Sequence, residues 1–156
     1  MKVTMNVVGY QEVLNAAEHV ELDPTLMAKV ASLPGLAILK LIAWHDRGLA
    51  NPKDAHDLYF IMTRYADAGN TDRLYESEFA LLEEAGFDPD IAGASLLGKD
   101  VARLASVETY QQMLAILTVH HNRLVLDMVK SIRDGEDAEA RVELRLAQFK
   151  LGLQVR

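Results

Sequence analysis

Four charged residues are spaced so that they could act together: Lys40 and Arg47 in "AILKLIAWHDR", and Asp54 and Asp57 in "NPKDAHDLY". Leu36, Ile38, Leu39, Leu41, Ile42 and Trp44 leave no solvated face around the lysine of a helix here, so its ammonium is either partly buried or directed into a cleft. A lysine in such surroundings is rarely unpaired. Arg47 follows at i+7, which puts the two cations on one side of the helix, about 10 Å apart along its axis. Asp54 and Asp57 stand at i and i+3 and continue into the apolar stripe Leu58, Ile61, Met62 and Tyr65, so two carboxylates begin a buried helix face. Two kinds of chemistry fit this pattern. One is a structural salt bridge between neighbouring helices, with Asp54 serving chiefly as a helix-start acid. The other is a cation and acids converging on a phosphorylated ligand, with the lysine touching phosphate oxygens.

The elements that must position these residues follow from periodicity and punctuation. Pro34 and Gly35 open the apolar helix and Gly48, after the cationic Arg47, is a natural stop. Asn51 can cap the next helix, Pro52 suits its first position, and the segment runs to about Ala66. Upstream, "VTMNVV" (3–8) and "LMAKVASL" predict short strands on either side of a helix in "GYQEVLNAAEHVEL" that ends before Pro24. Downstream, "GNTDRL" starts a helix through Glu84, "FDPDIAGASLLG" a helix stopping at Gly98, Ser106 a long helix to "RDGED", and "AEARVELRLAQFKLG" a last helix closed by Gly152. Two strands cannot stand as an independent sheet. The expected fold is therefore α+β, mainly α: a single domain over 1–156, with a small β/α element in 1–33 and a helical bundle in 34–156.

Composition narrows the function classes. The chain has 156 residues, half of them apolar, which is enough for one core and no more than one domain. Cysteine is absent, which removes disulfides and thiolate metal sites, and with no signal peptide or membrane-length apolar run a cytoplasmic location is the default. A formal net charge of -7 argues against strong nucleic-acid binding by the chain alone, since phosphate binding needs clustered cations.

Other candidate motifs read as structural. His120 and His121 are adjacent on a helix and point about 100° apart, so they cannot chelate together. His45 and His56 flank the Lys40 and Asp57 region and could meet in space, though loop-side histidines are the plainer reading. "AGASLLGKD" lacks the strand context and spacing of a phosphate loop, which leaves Gly93 and Ala94 as close helix-packing positions. Neither Gly-x-Ser-x-Gly nor cysteine is present to support nucleophilic hydrolysis.

The stretches "MNVVGYQEVLNAAEHV", "VASLPGLAILKLIAWHDR", "PKDAHDLYFIMTRY" and "AGASLLGKDVARL" resemble the C-terminal part of the bacterial nucleotidyltransferases grouped as AbiEii/AbiGii abortive-infection toxins. The similarity spans about residues 5–105 and centres on a lysine in an apolar helix followed by "KDAHDL". The resemblance implies a polymerase-β-like nucleotidyltransferase fold in which Lys40, Asp54 and Asp57 are catalytic. Lys40 would contact the triphosphate, with Arg47 and Lys53 as further nucleotide-binding candidates.

In that family a Gly-Ser or Gly-Gly turn and an Asp-x-Asp hairpin lie upstream, and their carboxylates hold magnesium. The only Asp-x-Asp here, Asp88 and Asp90, flanks a proline and reads as a helix cap. The expectation is thus a chain that binds no cofactor by itself and is inactive alone. Magnesium and a nucleoside triphosphate would enter once an upstream segment or a second chain supplies the metal-binding half, and the transfer would then be to an RNA or protein acceptor. An antitoxin is the further partner the resemblance implies. The rival expectation is a non-catalytic binding or assembly module, possible as a homodimer through its N-terminal β edge, in which the Lys–Asp cluster is structural.

Overall fold

The computed structural model describes residues 6–47, 50–133 and 135–155. The expected class holds: among the described residues a single two-stranded antiparallel sheet accompanies an otherwise helical chain. No helix among these residues is long and apolar enough to cross a membrane.

The N-terminal segment departs most from expectation. Of the predicted strand 3–8, residues 3–5 lie outside the described residues, and Asn6–Val8 form a turn held by Asn6 Oδ1, which accepts from the Val8 amide at 3.0 Å. The predicted helix shrinks to α1 (Tyr10–Asn15), and its second half becomes β1 (Glu18–Asp23), paired with the correctly expected β2 (Leu26–Val30). Pro24 is the tip of this hairpin rather than a divider. Asp23 Oδ1 accepts from both the amide and the hydroxyl of Thr25 at 2.9 Å, and proline fixes the preceding turn angle. Turn chemistry thus outweighs a weak helical period. Glu12 ties α1 to the rest of the molecule by accepting from the Ser106 amide at 3.1 Å and the Thr109 hydroxyl at 2.5 Å. Partial burial opposes its charge, yet these hydrogen bonds prevail and draw its pKa down to about 2.

The helical part is built around α6 (Pro89–Leu104), against which α2 (Leu33–Arg47), α3 (Lys53–Arg64) and α9 (Ala138–Gln154) all pack. Contrary to expectation neither Gly98 nor Gly152 ends a helix. Both lie inside one, and a side chain at Gly98 would strike the Phe149 carbonyl while one at Gly152 would strike that of Ser95. The two glycines let the backbones of α6 and α9 touch, a reason for glycine that a stop signal does not capture. Gly93 sits in the same way against Ala66, as expected of that segment.

Two helices expected to be continuous are broken. The one expected from "GNTDRL" through Glu84 divides into α4 (Thr71–Tyr75) and α5 (Phe79–Glu84), after a kinked link at Ala66–Asn70 with Gly69 at φ +88°, and Glu78 between them is drawn inward to Lys99 at 2.5 Å. The long C-terminal one divides at His120 into α7 (Val107–Val119) and α8 (His121–Val129). Its apolar period survives because Met113, Leu117, Leu124 and Met128 all stay buried on the core side of the break. Periodicity therefore reports the face and not the bend. The core cluster runs from Val13 to Leu153, with Trp44, Phe149, Leu41, Leu58 and Met62 fully buried.

Candidate functional site

α2 and α3 form a helical hairpin because both carry a buried apolar stripe and only a short segment joins them. The expected stop at Gly48 lies outside the described residues. At the start of α3 the Asn51 side chain accepts from the Lys53 amide at 2.9 Å, so the asparagine satisfies the helix end and Asp54 is released for another task.

That task is an ion pair with α2. Lys40 Nζ donates to Asp54 Oδ1 at 3.1 Å and to Asp57 Oδ2 at 2.6 Å, while Arg47 Nε donates to the second oxygen of Asp54 at 3.1 Å. The Asp54 side chain keeps 9% of its exposure, that of Lys40 23% and that of Arg47 70%, so the cluster grades from a buried acid to a solvated guanidinium. Partial burial disfavours the lysine charge, but the bonds and attraction of Asp57 and Asp54 more than offset this and raise its pKa above the ordinary value. Two cations face two acids, which leaves the group formally neutral. Lys53 stays outside it, exposed on the first turn of α3. The spacing thus brings together Lys40, Arg47, Asp54 and Asp57, as the helix periods require, and leaves Lys53 apart.

Magnesium does not fit these residues. The Lys40 ammonium already lies between Asp54 and Asp57, so a metal ion there would have to displace it, and among the described residues no group of three or more histidines and acids converges elsewhere. Asp88, as expected, caps α6 by accepting from the amides of Asp90 and Ile91 at 2.9 and 3.2 Å.

Three polar clusters were not foreseen. The Trp44 indole N–H donates to buried Asp127 on α8 at 2.9 Å, and the Arg123 guanidinium lies 4.3 Å from the Trp44 ring centre. The signal was present: Asp127 interrupts the apolar stripe between Leu124 and Met128 and so needed a buried donor. Asp100 on α6 accepts from Tyr65 at 2.6 Å and from both terminal nitrogens of Arg73 at 2.8 and 2.9 Å. His121 bridges Glu143 at 2.9 Å and Lys150 at 2.7 Å. The ring packed on His45 is that of His120, with centres 5.0 Å apart, rather than that of His56. His56 has a buried Nε2 without a hydrogen-bond partner among the described residues.

Comparison with curated proteins and with solved structures finds no match. A family profile does match, described as the nucleotidyl transferase AbiEii toxin of type IV toxin–antitoxin systems, over residues 1–144. The match takes in the Lys40 helix and "KDAHDL" and runs well past the expected limit near residue 105, into α9. The chain belongs to the AbiEii family of nucleotidyl transferase toxins.

Proposed function

We propose that this chain contributes the triphosphate side of a nucleotidyltransferase site, with Lys40 and Arg47 contacting phosphate oxygens and Asp54 and Asp57 holding the two cations in place. The observation that carries the proposal is the shared lysine: one partly exposed ammonium between two acids of the next helix, the first of which also pairs with Arg47. A polyphosphate arriving there would take over part of the hydrogen bonding that Asp57, the more exposed acid, now supplies. Lys53 is near enough along α3 to add long-range attraction.

The magnesium-binding carboxylates of the family's reaction would come from other residues, in an upstream segment or a second chain, because Asp88 is committed to a helix cap and Asp90 lies in the first turn of that helix. Without them the charge that develops during nucleotidyl transfer lacks its clamp. The acceptor would be an RNA or a protein, and an antitoxin would be the regulatory partner of a toxin of this family.

Calorimetry and a transfer assay on the 156-residue chain test this. With magnesium and each of the four nucleoside triphosphates we expect no turnover and weak binding that Lys40→Ala removes. Turnover that Lys40→Ala abolishes would show that the metal-holding acids are already present. Tight, metal-dependent binding that persists in the Asp54→Ala/Asp57→Ala double variant would place the nucleotide elsewhere.

One observation favours a second reading, that of an assembly module with a structural Lys–Asp cluster. The hairpin exposes Val20, Leu22, Leu26 and Val30, a set of apolar side chains that a two-stranded sheet does not normally leave in water. Light scattering that finds a stable dimer, lost when Leu22 and Val30 are replaced by serine, would favour it, provided that triphosphates also fail to bind.

A further inference from the structure

A cavity of about 350 Å³ opens beside the ion-pair cluster. Asp57 joins the two: its Oδ2 holds the Lys40 ammonium, and the same side chain lines the cavity. His56, Tyr59, Phe60 and Thr63 continue the wall along α3, and the turn after α8 closes it with Ser131 and Ile132. The volume lies at the small end of the range for small-molecule sites, and aromatic side chains with a few polar groups are the usual lining of such sites.

Three of the polar groups share one character, beside a Tyr59 hydroxyl that can donate as well as accept. Thr63 donates its hydroxyl hydrogen to the Phe60 carbonyl at 2.9 Å, and Ser131 donates its own to the Met128 carbonyl at 2.6 Å. Each oxygen therefore has only lone pairs left to offer, and the carboxylate of Asp57 accepts as well. His56 lines the same wall, with an Nε2 that is itself buried and finds no partner among the described residues. Phe60 leaves 64% of its surface in solvent, a flat apolar face at the mouth.

We infer that this cavity receives the base of the nucleotide whose phosphates lie at Lys40, and that its hydrogen-bond acceptors select bases carrying an exocyclic amine. The inference rests on the triphosphate reading for the position of the phosphates, while the cavity itself argues for the base. Phe60 and Tyr59 offer rings for stacking, which any base satisfies. Thr63, Ser131 and Asp57 then distinguish an amine, which donates, from a carbonyl at the same ring position, which would set lone pair against lone pair. Adenine and cytosine fit this rule; hypoxanthine and uracil do not.

Nucleosides without phosphates separate this inference from the triphosphate reading. The intact chain is titrated by NMR with cytidine against uridine and with adenosine against inosine, following the rings of His56 and Phe60. We expect both resonances to move, and the amino member of each pair to bind about tenfold more tightly, the size of one hydrogen bond gained rather than opposed. Thr63→Val should narrow that gap, and Phe60→Ala, at an exposed position where folding is not at stake, should weaken all four ligands. Equal affinity within each pair, or no movement at His56 and Phe60, would overturn the inference. Inorganic tripolyphosphate is titrated in parallel with native protein and Lys40→Ala. Lysine-dependent tripolyphosphate binding without nucleoside selectivity overturns the base pocket alone, and selectivity without tripolyphosphate binding overturns the phosphate site alone.

Discussion

Two of the clusters that pair acids with cations do so in different ways. Between α2 and α3 a lysine divides its ammonium between Asp54, which also pairs with Arg47, and Asp57, which also lines a cavity. Around α6, Asp100 is held by the fork of Arg73 through two parallel bonds and by the Tyr65 hydroxyl, and its side chain retains 13% exposure. An ammonium is a point charge on a flexible stem that can turn to another oxygen, whereas a guanidinium fork is bound to the plane of its carboxylate. The first arrangement can hand a cation to a ligand. The second locks α4 and the end of α3 onto α6. A buried ion pair therefore says little about function until one asks whether its cation can change partners without leaving an acid bare.

The largest effect expected from breaking this contrast is at the locked cluster. Arg73→Ala leaves Asp100 with Tyr65 and a distant Arg103 at 3.8 Å, and should lower unfolding stability by about 3 kcal/mol in urea titration. An effect under about 0.5 kcal/mol, the range of exposed pairs, would mean that the cluster is no lock. Lys40→Ala should cost less, about 1–2 kcal/mol, because Arg47 still covers Asp54 and Asp57 can reach water. The same substitution should abolish tripolyphosphate binding, which Arg73→Ala should leave intact in the folded fraction.

High pH sharpens the difference. The folded pKa of Lys40 is raised, so its contribution is complete below the unfolded value of 10.5 and vanishes as pH climbs through the folded value. The stability gap between native protein and Lys40→Ala should close across that window. The gap for Arg73→Ala should persist, since the guanidinium does not deprotonate there and Asp100 raises its pKa further. Parallel loss of both gaps would contradict the assignment. The smallest effect belongs to Arg47→Ala: at 70% exposure its pair with Asp54 should contribute less than about 0.5 kcal/mol to stability, yet its loss should weaken tripolyphosphate binding measurably. An unchanged affinity would remove Arg47 from the proposed site.

The candidate site was largely legible in the sequence because its parts are local. Lys40 and Asp57 are 17 residues apart, two helices joined by a short link carry them, and helical periods dictate which faces meet. The clusters that escaped notice depend on distant partners. Trp44 meets Asp127 across 83 residues and Ser95 meets Gln148 across 53, separations over which no period carries information. The missed hairpin is of another kind: Val13, Ala17 and Val20 make a passable helical stripe, but Asp23, Pro24 and Thr25 make a better turn, and β2 supplied the partner strand.

From residue order alone came the mainly helical class, the α2/α3 hairpin, the Asn51 and Asp88 helix starts and the meeting of Lys40 with Asp54 and Asp57. Each depends on side chains within a few turns of one another, where backbone geometry leaves few alternatives. Only the tertiary structure decided that Gly98 and Gly152 are contact points rather than stops, that the chain bends at His120, and that a cavity adjoins Asp57. Those features arise where elements far apart in the chain come to share space, and close packing, not local preference, selects among the conformations each segment could adopt.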